Sequence, residues 1–225
     1  MLVLIAEKDL GSSLLYFVLF TVMIWVSTQR FSYLIISFGL FICGALISWR
    51  IFGHIQARVS IWHDPWSFRS GSGYQLVEAA IAMANGGLIG TGLGSGEPNR
   101  IPEVETDFIF AAIGEEMGLL GTVLVLSSFL LIISSGLRIA IKSSDPFNKL
   151  LALGLTTLIG FQALVIMGGV VRLLPLTGVT LPFVSYGGSS LLANYVLVAL
   201  LLRLSDQLEN SQSSKEKSIQ EMSNE

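Results

Sequence analysis

Three carboxylates, Glu103, Glu105 and Asp107, stand directly before a long apolar run, in the stretch IPEVETDFIFAAIGEEMGLLG at residues 101–121. A carboxylate near the centre of a bilayer costs about 2.5–3.5 kcal/mol on insertion scales, so one retained beside hydrocarbon is by default functional. At the mouth of a helix the cost is lower, and the group can meet a polar head group arriving from water. Partial desolvation raises a carboxyl pKa toward neutrality, which suits a general base. The plainer reading makes Asp107 the N-cap of a helix starting at Phe108, and the two roles are compatible. Glu103 and Asp107 could also hold Mg²⁺ through water, although a carboxylate pair alone is weak support for a metal. No other metal set and no certain cofactor is expected.

Arg172 is the second candidate, interrupting an apolar stretch before Leu173-Leu174-Pro175. As a snorkelling side chain it would need no partner. The sharper reading gives its planar fork a phosphate to clamp through paired, charge-assisted hydrogen bonds. Three further segments carry weaker signals. Asp9 and Ser12 suit a helix N-terminus. In residues 58–66, RVSIWHDPW, Trp62 and Trp66 suit a headgroup-level belt, and His63 reads as an interfacial polar residue rather than a general base. The glycines between Gly86 and Gly96 follow no strand and precede no Lys, so a nucleotide loop is a poor reading and close backbone approach a better one. Residues 174–190 hold two prolines and three glycines in an apolar setting. Irregular backbone at membrane depth survives only against protein or a wet cavity, so a cavity-lining loop on the side of Asp107 is expected.

The elements that must position these groups follow from composition. Of 225 residues, 52% are hydrophobic and 13% charged, against about 25% charged in soluble domains. The chain is therefore an all-α integral membrane protein. Its net charge of −3 and lack of a basic stripe give no sign of nucleic acid binding. The single cysteine, Cys43, excludes an intramolecular disulfide. A span needs about 20 mostly apolar residues. Residues 10–28, 31–49, 117–137, 150–171 and the shorter 189–202 qualify, and 73–94, interrupted by Gln75, Glu78 and Asn85, is counted as a sixth. With six spans both termini share a side. Lys8, Arg50, Arg58, Arg69, Arg138, Lys142, Lys149, Arg203, Lys215 and Lys217 then lie on it, opposite Arg30, Arg100 and Arg172. That bias predicts cytoplasmic termini and an extracytoplasmic Asp107 loop. Residues 1–204 form the membrane domain, and 205–225, rich in Ser, Gln, Glu and Lys, should be a disordered cytoplasmic tail.

Taken in order, several motifs resemble the SEDS family of bacterial cell-wall proteins, which includes FtsW, RodA and SpoVE. They are Asp9-Leu-Gly-Ser12, Asp64-Pro65-Trp66, Gly73-Tyr-Gln75, Gly92-Leu-Gly94, Pro102-Glu103, Thr106-Asp107-Phe108-Ile109-Phe110, Glu115-Glu116-Met-Gly118 and the run from Pro182 to Ser190. The match covers essentially Glu7 to Leu204. The resemblance implies a multi-pass protein of the bacterial cytoplasmic membrane that polymerises lipid II into glycan strands, in division or elongation, with a class B penicillin-binding protein as partner. It implies Asp107 as the acidic residue essential for polymerisation. Glu103, Glu105, Thr106, Arg172, Ser185 and Ser189 are the expected substrate-binding residues around it. Many members have His where this chain has Glu105, so like-charge repulsion between Glu105 and Asp107 is expected to raise one pKa. Members usually have about ten spans, and this chain begins near the fifth. The first spans are either supplied by a second chain or absent from a fragment, which leaves enzymatic activity an open question. A flippase for the lipid-linked precursor, with Gln75, Glu78, Asn85 and Gln162 facing inward, is the alternative of a different class. A non-catalytic fragment that binds cell-wall synthesis partners is the third.

Overall fold

A computed structural model describes residues 10–223 of the chain. Seven α-helices and two short 3₁₀ turns make up its regular structure, with no strand among the described residues. They are α1 (Leu10–Thr28), α2 (Ser32–Ile51), α3 (Gly53–His63), α4 (Tyr74–Gly86), α5 (Ile109–Lys142), α6 (Pro146–Val170) and α7 (Gly188–Ser223). The 3₁₀ turns are Trp66–Phe68 and Pro98–Arg100. The expected all-α membrane architecture is therefore present.

Five of these helices are long and apolar enough to cross a membrane: α1, α2, α5, α6 and α7. The sixth expected span is not one. Its helical part is α4, 13 residues, which rises only about 20 Å against about 30 Å of hydrocarbon. Beyond Gly86 the chain turns through positive φ at Gly87, Gly90, Gly92 and Gly94, a backbone outside α-helical geometry. Glycine-rich sequence was compatible with a helix on hydropathy alone, and the backbone took the other option.

Helix α6 is the hub, packed against α1, α5 and α7. Its apolar residues Ala152, Leu155, Ile159, Ala163 and Ile166 are buried. Two close approaches use missing side chains. A Cβ on Gly136 of α5 would collide with the Thr156 hydroxyl, 2.0 Å away, and one on Gly154 of α6 would press on the Met23 sulfur of α1 at 3.3 Å. Small residues let helix backbones approach closely, which is how helices associate in lipid without a hydrophobic driving force. Asp145 caps α6 by accepting from the Asn148 N–H at 2.9 Å, with Pro146 in the first turn. Helix α2 has no buried residue and presents its apolar side chains outward.

The two ends of the described chain lie at opposite ends of the helix bundle, whereas six spans put them on a shared side. Gly11, at the start of α1, lies against Val179 and Thr177, beside the Asp107 turn. Ser205, Leu208 and Glu209 of α7 lie with Arg138 and Lys142 of α5 at the far end. The segment holding Arg58 and Trp62 also falls at the Asp107 end, bonded to Leu176 and Arg172. Among the cations from Arg30 to Arg203, Arg50, Arg58, Arg69, Arg100 and Arg172 then occupy one end and Arg30, Arg138, Lys142, Lys149 and Arg203 the other, with Lys215 and Lys217 following Arg203 along α7. The Lys/Arg asymmetry that six spans produced shrinks to seven against five.

Helix α7 runs past residue 204 to Ser223, where disorder was expected from 205. Extending an existing helix avoids the nucleation cost that makes short isolated helices marginal. Arg203 and Asp206 pair at 3.1 Å across the junction.

Candidate functional site at the Asp107 end of the bundle

Residues 103–108 form a tight turn gathered on one carbonyl. Glu103 has φ +57°, and its carbonyl accepts the N–H groups of Thr106, Asp107 and Phe108 at 3.2, 3.1 and 3.4 Å and the Thr106 hydroxyl at 3.2 Å. Helix α5 begins after it at Ile109, with Phe108 at the cap position and no side-chain cap bond. Asp107 is therefore not the N-cap that its position suggested, and its carboxylate is left for other work. Phe108 is 1% exposed and anchors the turn in the core.

The turn is stitched to the irregular segment between α6 and α7. Ser185, 7% exposed, donates its hydroxyl to the Thr106 carbonyl and accepts from the Leu181 N–H at 2.8 Å. The Tyr186 N–H donates to the Glu105 carbonyl at 2.7 Å. The irregular segment is held in turn by α6 and α7. Gln162 Nε2 donates to the Thr180 carbonyl at 2.8 Å, and the Thr180 and Ser190 hydroxyls share a 2.7 Å hydrogen bond. Side chains thus satisfy backbone that lacks helical partners, as apolar surroundings require.

Asp107 itself is half-buried, and Gly178, with φ +73°, passes beside it. A Cβ added there would lie 3.7 Å from Oδ2. Burial pushes the Asp107 carboxyl above the ordinary range, a hydrogen bond from Thr106 opposes this, the Glu103 charge adds to it and the Arg58 charge opposes it. The like charge that acts is therefore that of Glu103 rather than Glu105. The turn brings Glu103 toward Asp107, while Glu105 spends its backbone on Tyr186 and leaves its side chain exposed.

The structure brings Thr106, Asp107 and Ser185 together, with Glu103 and Glu105 exposed at the rim. Ser189 is exposed at the start of α7, and the hydroxyl that ties this helix to the segment is that of Ser190. Arg172, with φ +62°, turns its guanidinium to the end of α3. Its Nη2 donates to the Trp62 and His63 carbonyls at 3.3 and 3.4 Å, and Trp62 Nε1 donates back to the Arg172 carbonyl at 3.0 Å. A cation on the last carbonyls of a helix also meets the negative end of its dipole. Sequence reasoning missed Arg58, whose Nη1 donates to the Leu176 carbonyl at 3.3 Å. The available signal was its spacing of four from Trp62, which puts both on one helical face. Of the polar residues expected to face inward, Glu78 is buried near Arg69 at 3.7 Å, Gln162 is bonded as above, and Asn85 is exposed. Among the described residues no group of three His, Cys, Asp or Glu side chains converges as a metal site.

Comparison with known proteins gives this geometry a context. The chain is 49% identical over 203 residues to the peptidoglycan glycosyltransferase RodA of Mycobacterium tuberculosis, covering 90% of this chain and 43% of that protein. It is 35% identical over 214 residues to the probable peptidoglycan glycosyltransferase FtsW of Geobacter metallireducens, covering 93% of this chain and 56% of that one. Among solved structures, one described as "structural coordination of polymerization and crosslinking by a peptidoglycan synthase complex" matches with a TM-score of 0.74 at 29% identity. That match covers 90% of this chain and 57% of the solved one. The chain thus spans about half the length of its relatives. A family model described as "cell cycle protein" matches residues 1–210, and the chain belongs to that FtsW/RodA/SpoVE family.

Proposed function

We propose that this chain carries the catalytic loop of a peptidoglycan glycosyltransferase that polymerises lipid II. The observation that carries the reading is Asp107: a half-buried carboxylate with a raised pKa, held in a stitched turn, excluded from capping α5 and without an ion-pair contact among the described residues. Asp107 takes the proton from the acceptor sugar's 4-hydroxyl as that oxygen attacks the donor's anomeric carbon. The bond from the anomeric carbon to the pyrophosphate oxygen breaks, and its electron pair leaves on undecaprenyl pyrophosphate. A base whose pKa lies nearer the working pH transfers this proton more effectively. The polyprenyl tail rests against the apolar helices, which is why such an enzyme is embedded in lipid. Thr106 and Ser185 position Asp107, and the exposed Glu103, Glu105 and Ser189 line the polar rim that the sugars meet.

This reading places the protein in the bacterial inner membrane with the Asp107 end outside and the end of α7 in the cytoplasm. Its partner is a class B penicillin-binding protein, the kind of enzyme that would cross-link the new strands. The test is lipid II polymerisation by the reconstituted chain together with that partner. Asp107→Ala should abolish polymer while expression and melting are retained. Polymer at the parental yield overturns the assignment, and lipid II translocation without polymer replaces it with a transporter.

A further inference from the structure

Four arginines other than Arg58 are described at the Asp107 end, and three of them are already engaged. Arg69 lies 3.7 Å from the Glu78 carboxylate, Arg100 pairs with Glu97, and Arg172 donates to two carbonyls at the end of α3. The fourth, Arg50, is exposed near the end of α2. Arg58 differs from all of these. It is half-buried and spends one hydrogen bond, from Nη1 to the Leu176 carbonyl, out of the five donors a guanidinium carries. Two residues along the same irregular segment, Gly178 passes beside the Asp107 carboxylate. Arg58 and Asp107 thus flank residues 176–178 and make no ion-pair contact with each other. A cation retained merely to neutralise Asp107 would close on it, because a half-buried carboxylate gains from contact with an opposite charge. Here the guanidinium is bonded to the Leu176 carbonyl instead.

How Arg58 is held is also visible. Arg58 and Trp62 lie one turn apart on α3, and that face meets the segment after α6 at two points. The reciprocal bonds between Trp62 and Arg172 fix the end of α3, and with it the height of Arg58 above Leu176.

We infer that Arg58 binds the phosphate of a polyprenyl-phosphate-linked ligand beside Asp107, and that Arg172 is a positioning residue that holds α3 so that Arg58 reaches it. The inference rests on the proposed glycosyl transfer for the identity of the ligand and moves the phosphate contact from Arg172 to Arg58. Arginine suits it because its planar fork forms paired, charge-assisted bonds to phosphate oxygens, which a lysine point charge does not reproduce.

The test is binding by the full chain in lipid nanodiscs, with undecaprenyl pyrophosphate and undecaprenol as probes sharing one tail. The parental chain should prefer the pyrophosphate. Arg58→Gln should reduce that preference about tenfold or more, Arg58→Lys should keep part of it, and undecaprenol binding should not change. Arg172→Gln should lower the melting temperature and weaken the preference less than Arg58→Gln does, because it loosens α3 without removing the phosphate contact. An Arg58→Gln protein with the parental preference overturns the inference, as does an Arg172→Gln protein that melts normally and has lost the preference. Polymerisation is scored separately with Asp107→Asn, which should still bind pyrophosphate. A chain that shows the Arg58-dependent preference yet makes no polymer keeps this inference and overturns the glycosyltransferase reading. A polymerising chain indifferent to Arg58→Gln does the reverse.

Discussion

Two segments of irregular backbone interrupt the helices of this protein, and they are satisfied in different ways. The first meets the kink in α5, where Gly118 has φ +64° and ψ −157°. Breaking the helix there strips the Glu115 and Glu116 carbonyls and the Leu119 and Leu120 N–H groups of their helical partners. The glycine-rich segment supplies replacements in both directions. Thr91 and Gly92 donate to those carbonyls at 2.9 and 3.0 Å, and the Gly87 and Leu88 carbonyls accept from those N–H groups at 2.9 and 3.3 Å. Backbone answers backbone, and close contact demands glycine. The Glu115 carboxylate is buried against the same segment, with one oxygen accepting from the Glu97 N–H at 3.3 Å.

The second segment, residues 171–187, is satisfied by side chains from Gln162, Ser185, Ser190 and Arg58. Its carboxylate, Asp107, is turned out of that network rather than used to hold it. One junction spends its backbone groups on architecture, while the other leaves a half-buried carboxylate and a guanidinium without an ion-pair contact. The difference predicts where a substitution should reduce stability and where it should reduce turnover.

The sharpest division is expected at the two extremes. Asp107→Asn should reduce polymer formation by at least about a hundredfold, the lower end of what general-base catalysis contributes. Its effect on stability should run the other way. The folded-state pKa of Asp107 is raised, so its stabilising contribution is present below the unfolded carboxyl pKa and lost as pH rises through the folded value. At pH 7 the charged form is the disfavoured one, and Asn should melt no lower than the parent, with any advantage vanishing as pH falls below the ordinary carboxyl range. Thermal unfolding in detergent at two pH values checks this, and a large loss of stability at neutral pH would break the contrast.

Gly118→Ala is the counterpart in the architectural junction. A Cβ there would lie 2.4 Å from the Gly90 nitrogen and 2.8 Å from Ile89 backbone, on a positive φ that costs a non-glycine residue of the order of 1–3 kcal/mol by itself. A loss of about 3 kcal/mol is expected, read as a fall in melting temperature that no change of pH restores. Ser185→Ala should sit between the two. It leaves the Leu181 N–H and the Thr106 carbonyl without their hydroxyl partner, at about 1–3 kcal/mol. Because that hydroxyl also fixes the Asp107 turn, kcat should fall more than KM rises. Gln162→Leu should cost about 1 kcal/mol, the scale of one intramembrane hydrogen bond. The smallest effect should be on pH dependence. The acidic limb of the parental rate profile should lie above the ordinary carboxyl range, and Glu103→Gln should move it down by removing the like charge beside Asp107. A limb that stays in place would mean that burial, the Thr106 hydrogen bond and the Arg58 charge account for the Asp107 environment alone.

Composition and periodicity alone determined that the chain is a helical membrane protein, because apolar runs near 20 residues with no charge inside have few other stable outcomes. Residues 10–28 became α1 without change, and the prolines and glycines of 174–190 announced an irregular segment that the structure has. The order of motifs around Thr106-Asp107-Phe108 was equally legible, since local sequence carries it. What sequence could not supply was the fate of glycines, which are compatible with both a helix and a loop. Residues 73–94 were therefore counted as a span, although only Tyr74–Gly86 is helical. That one element set the sidedness of everything before it, including Arg58 and Trp62. Only the tertiary structure decided that Arg58 lies across Leu176 from Asp107, that Arg172 is spent on α3, and that Asp107 does not cap α5. The first two depend on contacts between residues about 110 to 120 positions apart in the chain, for which neither hydropathy nor spacing carries a signal, and the third on the positive-φ turn at Glu103.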